Sequence, residues 1–576
     1  MFLGMVKEKK DSLVGLKAEL QWLWRISRTY KKEIFVITLI SVIGSIFSLS
    51  TNLCLKYVID TVTGEHKSSV IYYAVIAVVL MLSNIGFSAL SSRIRIKIYI
   101  KIQNELQLDV YKTIFNAQWE SLREYRRGDL INRLNSDVNA ISSGVIGWWP
   151  NLLSVLTQFI YSFILIMTND PIMALIAFIS APFSAFMSRF MIRRMHEHNL
   201  KVKELNADMM AYQTDSFSNL QYIKAFGIAD VVREKLAEKQ NAFKEENLDY
   251  NKVSVKMNVV LKLAGLLVTF VSYAWGIYRL HEGYITYGTM VMFLQITLTL
   301  SGSFNSLLQV IPLTINLGTS ASRIITIENL PSETVIPTAK EKAFIQNSRK
   351  NGISIHCKNV TFSYSDEPDV NILENTSFSI ERGETVAIVG GSGLGKTTFF
   401  RLLLGILECS GGEIELENAD GDRIAVSSAM RELFAYVPQG NPVTETTVAE
   451  NIRMINPQAT DEEIIEVLKM ACAYEFIETL PDGINAHIGE SGKGFSEGQI
   501  QRIAIARALI KDAPIILFDE VTSALDEETE WQLLENIRTH LHNKTVIFVT
   551  HKFNTLEISD KIFKVKNKKF QSVSLK

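Results

Sequence analysis

Cysteine, histidine and proline are all scarce in this chain: four, nine and 12 copies among 576 residues. The four cysteines, Cys54, Cys357, Cys409 and Cys472, form no CxxC pair and no metal-ligand spacing. That pattern excludes a disulfide scaffold and a zinc ribbon and leaves structural thiols in a reducing compartment. Charge of one sign is missing too. Lysine and arginine against aspartate and glutamate leave a net −2, which provides no electrostatic footprint for a nucleic-acid partner. Nor does the N-terminus resemble a removable targeting peptide, because Glu8, Asp11 and Glu19 sit among its lysines and no apolar core precedes a small-residue cleavage site.

What is present is unevenly spread. Six apolar stretches crowd the first 315 residues, at about 33–54, 71–91, 147–168, 171–192, 258–279 and 287–311. Each approaches the roughly 20 residues needed to cross a hydrocarbon core of about 30 Å. The first, third and fifth connections are short, whereas the second (92–146) and fourth (193–257) exceed fifty residues each. Positive charge gathers in the long ones, with Arg93, Arg95, Lys97, Lys101, Arg126, Arg127 and Arg133 in one and Arg193, Arg194, Lys201 and Lys203 in the other. The positive-inside rule therefore puts both, and the N-terminus, in the cytoplasm. Their three- and four-residue apolar spacing predicts helices that continue well beyond the membrane. Turning points are expected at Trp119–Gly128 and Asp215–Gly227. Ahead of the first span, Leu13, Leu16, Leu20 and Leu23 share a helical face beside Trp22 and Trp24. That face suits either the membrane surface or packing on the protein itself. In the sixth span, Gln295, Thr299, Gly302, Ser306 and Gln309 make a polar stripe, which can line a substrate cavity or bond neighbouring helices. Lys56, Asp60 and Lys262 lie near span ends, where long side chains can reach the interface.

After about residue 325 the pattern changes to that of an α/β protein. Asn329–Gly352 is polar with two prolines and reads as a linker. Strands are expected over Ile353–Tyr364, Ser377–Ile380 and Thr385–Val389, the last running into GGSGLGKT and a helix over Thr397–Leu404. This strand–loop–helix context is the one a GxxxxGK[ST] phosphate loop requires. The nucleotide-binding loop is Gly390, Gly391, Ser392, Gly393, Leu394, Gly395, Lys396, Thr397 and Thr398: backbone N–H groups between Gly391 and Thr398 would cradle phosphates, Lys396 would reach the β- and γ-phosphates, and Thr397 would ligate Mg²⁺. The apolar run Ile515–Phe518 reads as a parallel strand buried on both faces and ends in Asp519–Glu520. Asp519 suits the Mg²⁺ shell, and Glu520 suits deprotonating an attacking water. Ser496 and Gln499 in FSEGQ form a capping box for a helix over Ile500–Ile510, and a helix start is also an anion site.

The ordered set GGSGLGKT, YVPQ (436–439), FSEGQ, IILFDE, SALD (523–526) and VTH (549–551) resembles the nucleotide-binding domain of ATP-binding cassette (ABC) transporters. Six spans placed before it resemble an exporter-type half-transporter, so the resemblance covers nearly the whole chain. It implies a multidomain membrane protein: an all-α six-helix transmembrane domain with long cytoplasmic extensions, then an α/β P-loop ATPase. The expected boundaries are an interfacial segment at 1–32, the transmembrane domain at 33–325, a linker at 326–352 and the nucleotide-binding domain at 353–576. By resemblance, Tyr364 stacks on adenine, Gln439 senses Mg²⁺ and the membrane domain, and Glu490 faces the coupling helices. Ser496, Gly498 and Gln499 belong to the signature that meets the γ-phosphate across a dimer, Asp526 links the two sites, and His551 holds the γ-phosphate. The second cytoplasmic hairpin is expected to reach the partner's ATPase. ATP and Mg²⁺ are the implied ligands, the setting is a bacterial inner membrane with a cytoplasmic ATPase, and the cargo is a small molecule, lipid or peptide of amphipathic or hydrophobic character. No leader-cleaving protease domain is expected ahead of the first span. One motif departs from the family: LSGGQ has Gly where this chain has Glu497 and Leu where it has Phe495. A carboxylate there repels a γ-phosphate while the backbone N–H survives, so weaker closure is expected. Because Glu520 and His551 are both present, a homodimer is favoured over a heterodimer. A nucleotide-gated channel and an importer on the same scaffold are the alternatives.

Overall fold

The computed structural model describes residues 19, 21–65, 69–125, 127–333, 336–348, 352–440, 443–489 and 494–573. The chain divides into a helical unit, residues 1–111 and 128–328, and an α/β unit, residues 112–127 and 329–576.

Six long helices build the helical unit: α1 Lys31–Val62, α2 Val70–Asn116, α3 Val138–Asn169, α4 Pro171–Ser218, α5 Ala229–His281 and α6 Tyr287–Glu328. They carry the six apolar stretches in order. Among the described residues, three are long and apolar enough to cross a membrane: Lys31–Val62, Val70–Asn116 and Gly128–Asn169. At 1.5 Å per residue the 53 residues of α5 rise about 80 Å, far more than a hydrocarbon core needs. Local chemistry sets the helix ends. Asp170 caps α4 by accepting from the Ile172 and Met173 backbone N–H groups, Pro171 follows where its missing N–H costs nothing, and Arg279 of α5 pairs with the same buried carboxylate at 2.7 Å. Asp60 and Lys56, at the far end of α1, are likewise structural. Asp60 accepts from Gly288 N at 2.8 Å and Lys56 donates to Asn169 Oδ1 at 2.8 Å. The second hairpin turns where expected, through a short helix Leu220–Ala225. Leu13, Leu16 and Leu20 lie outside the described residues, but Trp22 and Leu23 are buried and Trp22 Nε1 donates to Glu328 at 2.8 Å. The leading helix therefore packs on its own unit there, with Trp24 left exposed.

The α/β unit contains two sheets. One is antiparallel, in the order β2–β1–β4–β5, from β1 Ser354–Ser363, β2 Asn371–Ile380, β4 Gly411–Glu417 and β5 Arg423–Ala425. The other runs β10–β9–β3–β8–β7–β6, with β3 Thr385–Val389, β6 Phe434–Val437, β7 Ile515–Asp519, β8 Thr545–Val549, β9 Lys561–Lys566 and β10 Lys569–Val573. All its pairings are parallel except β9 with β10. β7 is buried at every residue because the sheet is covered on both faces. Ile515 and Leu517 join the core shared with the antiparallel sheet, whereas Ile516 and Phe518 join the helical core on the other face.

One expectation needs correction. The segment read as a linker contains a helix, Ala339–Ser348, whose Phe344 and Ile345 are buried in the core beneath the antiparallel sheet. The polar residues around those two anchors and the flanking prolines obscured an ordered element. The first hairpin turns within the expected Trp119–Gly128, and its tip groups with the α/β unit. It is held there by Gln118 N donating to Pro331 O at 2.8 Å and Glu333 N donating to Asn116 O at 2.7 Å.

Candidate functional site

Strand order assembles the site. In the sequence β3–β8–β7–β6, four neighbouring parallel strands each deliver one group at the carboxyl edge. β3 leads into the glycine loop and Lys396, β8 into His551, β7 into Asp519–Glu520, and β6 is followed two residues later by Gln439. The side chains stand in the same order as the strands. Lys396 Nζ lies 3.2 Å from His551 Nε2, His551 Nε2 lies 3.8 Å from Glu520 Oε1, and Gln439 Nε2 donates to Glu520 Oε2 at 2.6 Å. Crevices at the carboxyl ends of parallel strands are where such sheets bind ligands.

The loop itself is shaped for phosphate. Gly391, Ser392, Gly393 and Leu394 are exposed, while Gly395 is buried with φ +91°, a conformation L side chains rarely adopt, and a Cβ there would stand 2.7 Å from Ile372 Cγ2. Lys396 opens helix α7, Lys396–Leu403, and is only 6% exposed. Its ammonium donates to Gly390 O at 2.6 Å and Gly391 O at 3.1 Å. Those contacts satisfy a buried cation with the loop's own carbonyls, an arrangement that an incoming phosphate would outcompete.

Asp519 is 1% exposed, and its Oδ1 is buried without a hydrogen-bond partner. Burial pushes its carboxyl above the ordinary range, with the Glu520 charge adding to the effect, while the Thr397 and Tyr436 hydroxyls and the Lys396 charge oppose it. An orphaned carboxylate oxygen beside the Thr397 hydroxyl has the donor chemistry of a hard divalent cation site, so these residues fit Mg²⁺. Glu520 has φ +53°, bonds its own N–H to Val549 O at 2.9 Å and carries its carboxylate out of the strand line toward His551 and Gln439.

Tyr364 sits with its hydroxyl 3.2 Å from Thr398 Oγ1, and the Arg123 guanidinium lies 4.2 Å from its ring centroid. Arg123 belongs to a short helix Trp119–Arg123 in the hairpin tip, also pairs with Asp366 at 3.2 Å, and neighbours Glu120, which accepts from Ser365 N at 2.7 Å. No local signal in the sequence pointed to that stack. The FSEGQ segment forms the expected capping box: Gln499 N donates to Ser496 Oγ at 3.3 Å and Ser496 N donates to Gln499 Oε1 at 2.8 Å. The helix it starts, α8, spans Glu497–Leu509, beginning three residues before the expected Ile500. Ser496 and Glu497 are exposed. Gln501, which sequence reasoning missed, ties α8 to the Glu520 carbonyl at 3.3 Å. Asp526 caps helix α9, Glu527–His540, by accepting from Thr529 N and Oγ1, both at 2.9 Å, and those bonds hold its carboxyl below the ordinary range. Glu490 lies outside the described residues, as does the Gln309 side chain of the α6 stripe. The Thr299 and Ser306 hydroxyls of that stripe bond back to their own helix, at Gln295 O and Gly302 O.

A phosphate loop, a buried metal-type carboxylate, a base-type carboxylate and a signature helix, all following a bundle of membrane-length helices, define a membrane-coupled ATPase. The chain belongs to the ABC transporter family: its residues 34–304 match the ABC transporter transmembrane region and residues 373–523 match the ABC transporter ATPase model. It is 29% identical over 560 residues to a protein of Rickettsia bellii named as an export ATP-binding/permease protein, covering 94% of this chain and 93% of that one. A Bacillus subtilis protein named for multidrug export is 28% identical over 558 residues, covering 94% and 93%. A leukotoxin export ATP-binding protein of Aggregatibacter actinomycetemcomitans is 28% identical, covering 96% of this chain and 77% of its own. In fold, the chain superposes on a bacterial Atm1-family ABC exporter solved with ATP bound, at TM-score 0.81 and 23% identity over 94% of both chains. It is thus an ABC exporter that hydrolyses ATP to drive transport and spans the membrane.

Asp519→Asn separates the cost of the metal carboxylate from its use. A carboxyl raised by burial favours its protonated form in the folded state, so its stabilising contribution is present at low pH and lost as pH rises through the folded value. At pH 7 and above the ionised side chain is therefore a liability, and an orphaned buried oxygen costs about 1–3 kcal/mol. The asparagine variant is expected to melt a few degrees higher than wild type without nucleotide, yet to gain almost nothing from MgATP. Scanning calorimetry with and without MgATP checks both signs. An equal MgATP-induced shift in the two proteins would remove Asp519 from the metal site.

Proposed function

We propose that this chain works as a homodimeric, ATP-driven exporter of amphipathic cargo by alternating access, with the N-terminus and ATPase unit in the bacterial cytoplasm. The observation that carries this reading is the ordered row Lys396–His551–Glu520–Gln439 along one sheet edge. A phosphate-loop lysine, a base-type carboxylate, a histidine and a glutamine adjacent on one chain favour a pump over a nucleotide-gated channel.

In this reading Lys396 releases its loop carbonyls to hold the β- and γ-phosphates, and the loop N–H groups between Gly390 and Thr398 cradle them. Tyr364 stacks on the adenine. Thr397, Gln439 and Asp519 would hold Mg²⁺, which supplies charge neutralisation for the phosphates. Glu520 accepts the proton of the attacking water, and His551 positions the γ-phosphate. Ser496 and Gly498 of the partner subunit complete the site, so neither copy closes alone. Closure is passed to the helices through the hairpin tips, and hydrolysis resets them. Glu497 weakens closure without removing it, because its exposed carboxylate repels a γ-phosphate while the backbone N–H at that position survives.

The test is reconstitution of the purified chain by itself. Inside-out vesicles containing only this protein are expected to accumulate an amphipathic dye upon addition of ATP. ATPase activity without accumulation would favour the channel or regulator. ATP-driven accumulation in ATP-loaded vesicles whose ATPase faces the lumen would indicate import rather than export. Activity that appears only after a second half-transporter is added would replace the homodimer with a heterodimer.

A further inference from the structure

A cavity of about 360 Å³ opens among α1, α2 and α3 of the helical unit. Its walls differ from the spans around it. Of its 13 lining residues seven are serines, Asn84 and Gln158 add carboxamides, Arg95 supplies the one charge, and only Ile40 and Phe87 are large and apolar. Helical spacing produces this concentration. Ser41, Ser45 and Ser48 recur three and four apart on α1, as Ser88, Ser91 and Arg95 do on α2. The side chains are too short to fill the space between the helices, although Gly44 brings the two close, its ideal Cβ lying 3.2 Å from Asn84 Oδ1.

Helix packing accounts for part of the polarity. Ser41 and Ser91 share a hydrogen bond at 3.3 Å, and Gln158 donates to Ser45 at 3.3 Å while accepting from Ser303 of α6 at 3.3 Å. Two groups have no such use. Ser154 Oγ is buried and has no hydrogen-bond partner. Arg95 is half-buried and lines the cavity, and no hydrogen bond or ion pair engages it among the described residues. An unpaired guanidinium near a membrane span marks function more often than structure. Surrounded by hydroxyl and amide donors, it is chemically an oxyanion receptor. Arg95 lies four residues past the apolar run ending at 91, about 6 Å along the helix, which is interfacial depth. The same helix exposes Met81, Leu82, Ile85 and Leu90, an apolar surface fit for a hydrocarbon tail.

We propose that this cavity binds the oxyanionic head of a single-chain amphiphile, a carboxylate or a phosphate, with Arg95 as ionic anchor and Ser154 as a hydrogen-bond donor. Its role as a cargo-loading site rests on the export reading above; binding itself does not.

The test uses the full-length protein in phosphatidylcholine nanodiscs, with doxyl-stearate binding followed by electron spin resonance. Saturable binding is expected, displaced by lysophosphatidate but not by a monoacylglycerol of equal chain length or by inorganic phosphate. Arg95→Gln should weaken binding about tenfold, Arg95→Lys should restore most of it, and Ser154→Ala should weaken it about threefold. All three variants should keep the wild-type melting temperature and unstimulated ATPase rate. The relative affinity of stearate and lysophosphatidate identifies the preferred head. Equal displacement by monoacylglycerol, displacement by inorganic phosphate alone, or an unchanged affinity in Arg95→Gln overturns the site. ATPase stimulation by the bound amphiphile is read separately. Binding without stimulation would remove the cargo role and keep the head-group site, whereas ATP-driven dye transport with no stearate binding would remove the site and keep the exporter.

Discussion

Glu520→Gln is expected to bind ATP with near wild-type affinity and to lose about 10²–10⁴-fold in turnover, the range a general base contributes. The substitution is close to isosteric, and the new amide oxygen can still accept from Gln439, which lies 2.6 Å from the native carboxylate. Both residues tolerate the φ +53° backbone equally, so local geometry should survive. What disappears is the ability to take a proton from water. ATP therefore enters and the dimer closes, but the closed state does not decay. Lys396→Ala provides the contrast. Its ammonium is the buried cation facing the loop, so that variant should lose nucleotide binding itself. A fluorescent ATP analogue measures binding, and phosphate release under single-turnover conditions measures chemistry. If Glu520→Gln kept more than about a third of its phosphate-release rate, a loss under 1 kcal/mol in barrier terms, Glu520 would not be the base.

Much of this site was legible because its parts are local. The strand Thr385–Val389, the glycine loop and the capping box at Ser496 and Gln499 each depend on residues within seven positions of one another, and all three occur as expected. The six spans were legible for a similar reason, since hydropathy is a running local property. The adjacency of Lys396, His551, Glu520 and Gln439 was not legible from spacing, because it follows from the strand order β3–β8–β7–β6, a nonlocal fact. The same holds for Arg123 over Tyr364, 241 positions apart by number, where neither residue's neighbourhood announces the other. The serine faces of α1 and α2 failed for the opposite reason. Their helical spacing is readable, but averaging over apolar neighbours conceals them. The helix Ala339–Ser348 shows how composition misleads in a short element. Two buried residues, Phe344 and Ile345, fix it in place, and the other eight, mostly polar, positions hide them.

Gly498→Ala is expected to leave each protomer's own nucleotide site intact and to reduce ATPase activity about 5–150-fold. The reason is a contact between backbones. A Cβ on Gly498 would lie 2.8 Å from the Ala524 carbonyl oxygen, which belongs to the segment leading into the Asp526 cap and cannot rotate away as a side chain would. The first turn of α8 must then move outward, against the tether from Gln501 to the Glu520 carbonyl. Overpacking of this kind costs about 1–3 kcal/mol. The displaced turn carries the exposed Ser496 and Glu497, and in the proposed dimer that turn meets the partner's nucleotide, so the cost is expected to fall on closure. Lys396, Thr397 and Tyr364 take their positions from β1, β3 and α7 instead, so ATP affinity measured under non-hydrolysing conditions should be unchanged. Combined with Glu520→Gln, the alanine should also prevent accumulation of the ATP-trapped dimer, readable by size-exclusion chromatography of the detergent-solubilised protein after cross-linking. A collapse in melting temperature together with lost ATP binding would mean that the methyl group disrupts the fold rather than the interface. Full ATPase activity at an unchanged melting temperature would show that α8 does not meet a nucleotide at all, and the dimeric mechanism would fail with it.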